Sequence, residues 1–151
     1  MRENLRSDII MFGALAGVLG NIPKTILAWI FSYFGWLKYN FFHISAGYFV
    51  DAQFLDNPLS LLTGIIVDNL DAAFFGAILY FMLRKTGGDY AEFKGFFFGA
   101  LLYVVIFGTF MSLDLTRASI LTPLPNFLML FPHAIYGVVT AWIIKKYGVG
   151  I

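Results

Sequence analysis

The chain has 151 residues, of which 60% are hydrophobic and 13% charged, with a net charge of +1 and no cysteine. A soluble domain carries roughly 25% charged residues, so this composition, with a mean hydropathy of +0.79, places the chain in a membrane. The near-zero charge gives no basic field for nucleic acid, and without cysteine there is no disulfide, thiolate nucleophile or Cys-ligated metal. The length suits one integral membrane domain.

Four apolar stretches are long enough to cross a bilayer, which takes about 20 residues. They run from about 9 to 36, 59 to 83, 95 to 111 and 124 to 144. Backbone groups in lipid must be satisfied internally, which leaves helices or a closed barrel. None of the stretches alternates polar and apolar residues as barrel strands do. The predicted fold is therefore all-α, a polytopic four-helix bundle.

The first stretch contains Gly13-Ala-Leu-Ala-Gly-Val-Leu-Gly-Asn-Ile-Pro-Lys24, an unusual set of passengers in a hydrophobic run. Ala14-Leu15-Ala16 resembles a signal-peptide cleavage site, but only Ile9 to Gly13 precede it as an apolar run, and an h-region needs about 7–15 residues. The stretch reads as an uncleaved span. At 100° per residue, Gly13, Gly17, Gly20 and Lys24 form one stripe with Asn21 at its edge. Small residues four apart let two membrane helices approach closely. Pro23 predicts a kink and frees the carbonyl of Leu19.

The loop from Leu37 to Pro58 is rich in aromatics, which suit the headgroup region, so a short interfacial helix is expected at about 39–50. Its alternative is a loop packed on the bundle. His43 lies within it and reads as structural. Asp56-Asn57-Pro58 marks the turn before the second span, with Asn57 or Ser60 as cap. On that span Gly64, Asp68, Asp71, Ala72 and Gly76 share a face, and Asn69 sits beside it. Gly95, Gly99 and Tyr103 align on the third span. Asn126, His133, Gly137 and Thr140 align on the fourth, where Pro132 predicts a second kink and frees the carbonyl of Leu128.

Lys and Arg set the expected orientation. Arg2, Arg6, Arg84, Lys85, Lys94, Lys145 and Lys146 fall on one side, and only Lys38 and Arg117 on the other. The positive-inside rule puts both termini in the cytoplasm. Lys24 then lies roughly 22 Å up the first helix, and Asp68, Asp71 and His133 roughly 13–18 Å down theirs, at 1.5 Å per residue. Asn21, Lys24, Asp68, Asn69, Asp71 and His133 thus form a candidate polar site near the midplane. An isolated charge at that depth costs at least about 2.5–3.5 kcal/mol. Lys24 is expected to pair with Asp68 or Asp71, leaving one acid to hold a proton, share one with His133 or bind a cation.

There is no Walker loop, nucleotide-binding glycine fingerprint, HExxH or GxSxG elbow. No enzyme, cofactor or metal site is therefore expected. Two readings remain: a small transport or channel-type protein using the midplane residues, or a structural or accessory membrane protein held together by them. Four short helices enclose little lumen, so transport would call for a homo-oligomer or a membrane partner.

Gly13-x-x-x-Gly17 followed by Lys24 resembles the first span of YagU-like bacterial inner-membrane proteins. Lys94-Gly-Phe-Phe-Phe-Gly-Ala-Leu101 is similar to the start of their third span, and His133 after a proline-rich approach and before Trp142-Ile-Ile144 is similar to their last. This chain departs in a shorter first external loop and in a proline before His133 in place of glycine. The resemblance implies a multi-pass bacterial plasma-membrane protein and transfers no catalytic residue.

Overall fold

A computed structural model describes Leu5 and residues 8–151. The arginines at 2 and 6, which contribute to the charge asymmetry, lie outside the described residues. Four helices are long and apolar enough to cross a membrane, and among the described residues there is no strand. They turn their large apolar side chains outward: Ile22, Ile26 and Trp29 on the first and Leu62, Ile66, Leu70 and Phe74 on the second are all exposed. That pattern is the inverse of a soluble bundle. It suits an apolar surrounding such as a bilayer.

Helix α1 spans Ile9–Tyr33, and Asp8 caps it by accepting from the backbone N–H groups of Ile10 and Met11, both at 2.9 Å. It ends three residues before the expected Trp36. Gly35 adopts a left-handed φ of +74°, and the Trp36 N–H turns back to the Phe31 carbonyl at 3.0 Å. Such a left-handed residue closes a helix, and glycine adopts it without a Cβ penalty. Pro23 lies inside α1 without interrupting it. The 25 residues make a rod of roughly 37 Å, longer than a hydrocarbon core of about 30 Å, an excess that tilting or local bilayer thickening accommodates.

Helix α2 is the short Phe41–Ala46, capped by Asn40, with His43 completing the capping box. Helix α3 spans Pro58–Thr86 and is capped by Asn57, whose Oδ1 accepts from Leu59 N at 2.9 Å. It outruns its expected end at Leu83 by a basic turn, Arg84 and Lys85, where cations favour a helix C-terminus. Asn57→Ala is expected to cost about 1 kcal/mol, read as a lower midpoint of thermal unfolding in micelles.

The third span is continuous from Ala91 to Ser112 but not uniform. It comprises α4 (Ala91–Leu101), a π-helical stretch at Leu102–Phe107, and α5 (Gly108–Ser112). The fourth is broken at Met129 into α6 (Pro123–Leu128) and α7 (Leu130–Tyr147). The break falls one turn before Pro132, where a proline ring crowds the preceding carbonyls.

The helices pack in the order α3, α1, α7, α4, while α3 and α4 barely meet. One device builds both outer pairs. Gly76 of α3 sits against the Gly13 carbonyl and the Gly17 backbone, and Gly137 of α7 sits against the Gly95 carbonyl and the Gly99 nitrogen. In each case a single glycine of one helix wedges between two glycines four apart on its neighbour, allowing backbone-to-backbone packing. Gly20 instead faces Thr140 of α7, and Gly64 receives the Phe42 carbonyl of α2 rather than another span. Phe41, Ile44, Ser45 and Ala46 are buried, so α2 is packed against the bundle.

Candidate functional site

The i, i+4 series on α3 places Gly64, Asp68, Ala72 and Gly76 on the buried face. Asp68 thereby meets α1. Its Oδ1 accepts from Lys24 Nζ at 2.6 Å and its Oδ2 from Asn21 Nδ2 at 2.7 Å. The side chains of Lys24 and Asp68 are only 10% and 5% exposed. Lys24 Nζ also stands 4.0 Å from the centroid of the Phe41 ring, brought there by α2. A buried ammonium thus has a carboxylate on one side and an aromatic face on another, both of which offset part of its desolvation cost. Asn69 contributes less: it donates to the Ile65 carbonyl at 2.8 Å and lies 3.5 Å from Asn21 Nδ2.

Asp71 departs from the expected arrangement. It lies 60° round the helix from Asp68, at the edge of the packed stripe, and is exposed, with no hydrogen bond or ion pair among the described residues. Lys24 is committed to Asp68. His133 does not take the second acid either: its Nδ1 donates to the Met129 carbonyl at 2.7 Å, one turn back on the broken helix. Since a carbonyl can only accept, Nδ1 carries the hydrogen, and in the neutral ring Nε2 is an acceptor. The rings of Phe41, Phe107 and Tyr103 pack edge-on to the imidazole at 5.3, 5.4 and 5.8 Å. Phe41 therefore touches both Lys24 and His133, and the four ionisable groups surround a common space without forming one network.

That space is a cavity of about 80 Å³, lined by Lys24, Asp68, Asp71 and His133 together with residues of α2, the π-helical stretch and α7. Aromatic and aliphatic side chains make up most of its wall. Tyr136 closes one side by donating from its hydroxyl to the Ala72 carbonyl at 2.7 Å, tying α7 to α3. Tyr48, at the loop end of the cavity, has its phenol pushed above the ordinary value by burial and by the nearby charges of Asp71 and Asp68. It stays an O–H donor.

Phe41, Ser45, Tyr48, Tyr136 and the π-helical residues were not among the residues expected from sequence. Phe41, Ile44, Ser45 and Tyr48 do recur at i, i+3, i+4 and i+7, a helical face that marks one side of the loop as buried. Nothing comparable announces the π-helical stretch. Asn126, expected on the face of His133, instead ties the third span to α6. Its Oδ1 accepts from the Tyr103 hydroxyl at 2.6 Å and its Nδ2 donates to the Ile120 carbonyl at 3.1 Å. His43 lies on α2 and does not line the cavity; its Nε2 is 3.2 Å from Asp56 Oδ1. No family model, curated protein or solved structure matches this chain. Among the described residues no group of three His, Cys, Asp or Glu is placed to hold a metal ion.

Proposed function

We propose that this multi-pass membrane protein is a small transporter in which Asp71 alternately holds a proton and a cation inside the cavity. The observation that carries this reading is the carboxylate of Asp71, which borders a cavity among the spans and has no partner among the described residues. Two carboxylates face one ammonium there, so one unit of negative charge is left to be neutralised from outside the chain. The charged and titratable groups around it are Lys24 of α1, Tyr48 beyond α2, Asp68 on α3 itself, and His133 and Tyr136 of α7. The π-helical stretch opposite carries none into the cavity. Proton and cation therefore compete for one site, and competition is the basis of exchange.

The distribution of Lys and Arg favours termini in the cytoplasm, and the resemblance to YagU-like proteins favours a bacterial plasma membrane. The cavity is small and does not run the length of the bundle's spans by its lining residues. A second copy or a membrane partner would supply the rest of a path. A structural or accessory role is the second reading, favoured by the Asn21–Asp68–Lys24 cluster, whose carboxylate is fully engaged.

Flux in proteoliposomes separates the two. A pH gradient is expected to drive cation uptake by the wild type, and Asp71→Asn to reduce it to the level of empty liposomes. Because Asp71 supports no contact, the same substitution should change stability by no more than about 0.5 kcal/mol. Absence of flux under any gradient, with the protein folded, would leave the structural role.

A further inference from the structure

The unmet polar groups of the cavity have a common character. Ser45, only 5% exposed, lines it with a hydroxyl that has no partner among the described residues. Tyr48 and Asp71 line it likewise without a partner, and His133 has only Nδ1 engaged. A carboxylate, an imidazole nitrogen and two hydroxyls offer far more acceptors than donors. The missing partner is therefore rich in N–H or O–H donors, and the spare negative charge calls for a cation. A bare metal ion fits less well, since it would want several strong ligands, and among the described residues no three His, Cys, Asp or Glu are placed to hold one.

The walls narrow the choice further. Phe75 of α3 and Phe110 of α5 bring aromatic rings to the cavity, and aromatic faces attract organic cations. At about 80 Å³ the cavity takes a head of a few heavy atoms. The lateral boundary is incomplete, because α3 and the third span, which both line the cavity, barely meet, and Asp71 of α3 is exposed. Apolar matter attached to the head can leave through that gap into lipid.

From this we infer that the ligand of the site is a lipophilic primary or secondary ammonium. Its head donates to Asp71, with Ser45, Tyr48 and His133 Nε2 as further acceptors, and its tail lies between α3 and the third span. This deepens the exchange reading, on which it rests for the role of Asp71.

Binding of radiolabelled dodecylammonium to the full chain in nanodiscs, without any gradient, tests it. Wild-type protein is expected to bind the probe saturably above empty nanodiscs. Dodecyltrimethylammonium, which has no N–H, should compete about tenfold or more weakly, the worth of a charge-assisted hydrogen bond. Asp71→Asn should weaken binding by a similar factor, and Asp71→Glu should retain it. Equal binding by wild type and Asp71→Asn, equal competition by the quaternary analogue, or no saturable binding by folded wild type would each overturn the inference. Cation flux without dodecylammonium binding would overturn this ligand class and leave exchange standing. Binding without flux would support the ligand class and remove exchange.

Discussion

Asp68→Leu is expected to destabilise the protein by about 3–5 kcal/mol, the usual cost of leaving one member of a buried ion pair without the other. Lys24 would then face only the Phe41 ring, and Asn21 Nδ2 would keep only its long 3.5 Å hydrogen bond to Asn69 Oδ1. Adding Lys24→Met removes the stranded ammonium, so the double variant should recover most of the loss, because buried pairs replaced by apolar residues are often neutral or better. Unfolding of the two single variants and the double in micelles gives the coupling directly. Losses that merely add would show that Lys24 and Asp68 do not depend on each other. The same cycle with Asp71 in place of Asp68 should show little coupling, since Asp71 makes no ion pair.

The second large effect is expected from the glycine wedges. A Cβ at Gly17 would collide with the Ala72 carbonyl oxygen and come within 2.9 Å of the Gly76 Cα; at Gly137 it would collide with the Gly95 carbonyl oxygen. Both obstacles are backbone, so neither can rotate away, and the helices would have to separate. Gly17→Val and Gly137→Val should each cost about 3 kcal/mol, at or beyond the upper end for overpacking. They should also reduce the yield of folded protein from membranes. Gly108 is the contrasting position, where a Cβ would meet only the Tyr103 carbonyl at 3.6 Å. Gly108→Ala is expected to lie within about 0.5 kcal/mol of wild type. Equal losses at all three would mean that glycine matters here for the helix itself and not for packing.

The functional consequence of these two features is different. The Gly76 wedge and the Lys24–Asp68 pair fix α1 against α3, Gly20 sets it against Thr140 of α7, and the Gly137 wedge fixes α7 against α4. They leave α3 and the third span apart, and α2 fills part of the opening from the loop end with Phe41. The cavity is what remains. Asp71 borders it from the edge of the packed stripe, a sixth of a turn from Asp68, and no partner among the described residues holds it there.

The number of spans was legible in the chain, because the length of an apolar run is a local property, while their ends differ from the expected ones by up to four residues. Asp8 and Asn57 begin helices through their side-chain oxygens, and Gly35 ends one through its left-handed backbone. The alignment of Gly13 with Gly17, or of Gly64 with Asp68 and Gly76, follows from 3.6 residues per turn and from nothing else. So does the need for Lys24 to meet an acid, since lipid gives a lone charge no other refuge. Which acid it meets was not legible. Asp68 and Asp71 are three residues apart and nearly equal in depth, and only the position of α1 against α3 decides that Asp68 is covered and Asp71 open. In the same way, His133 takes the Met129 carbonyl because the helix breaks beside it, and Phe41 reaches Lys24 because Gly64 admits the backbone of α2. Periodicity determines the face on which a polar group lies; the partner it finds there depends on the neighbouring helix, whose placement is set by backbone contacts far away in sequence.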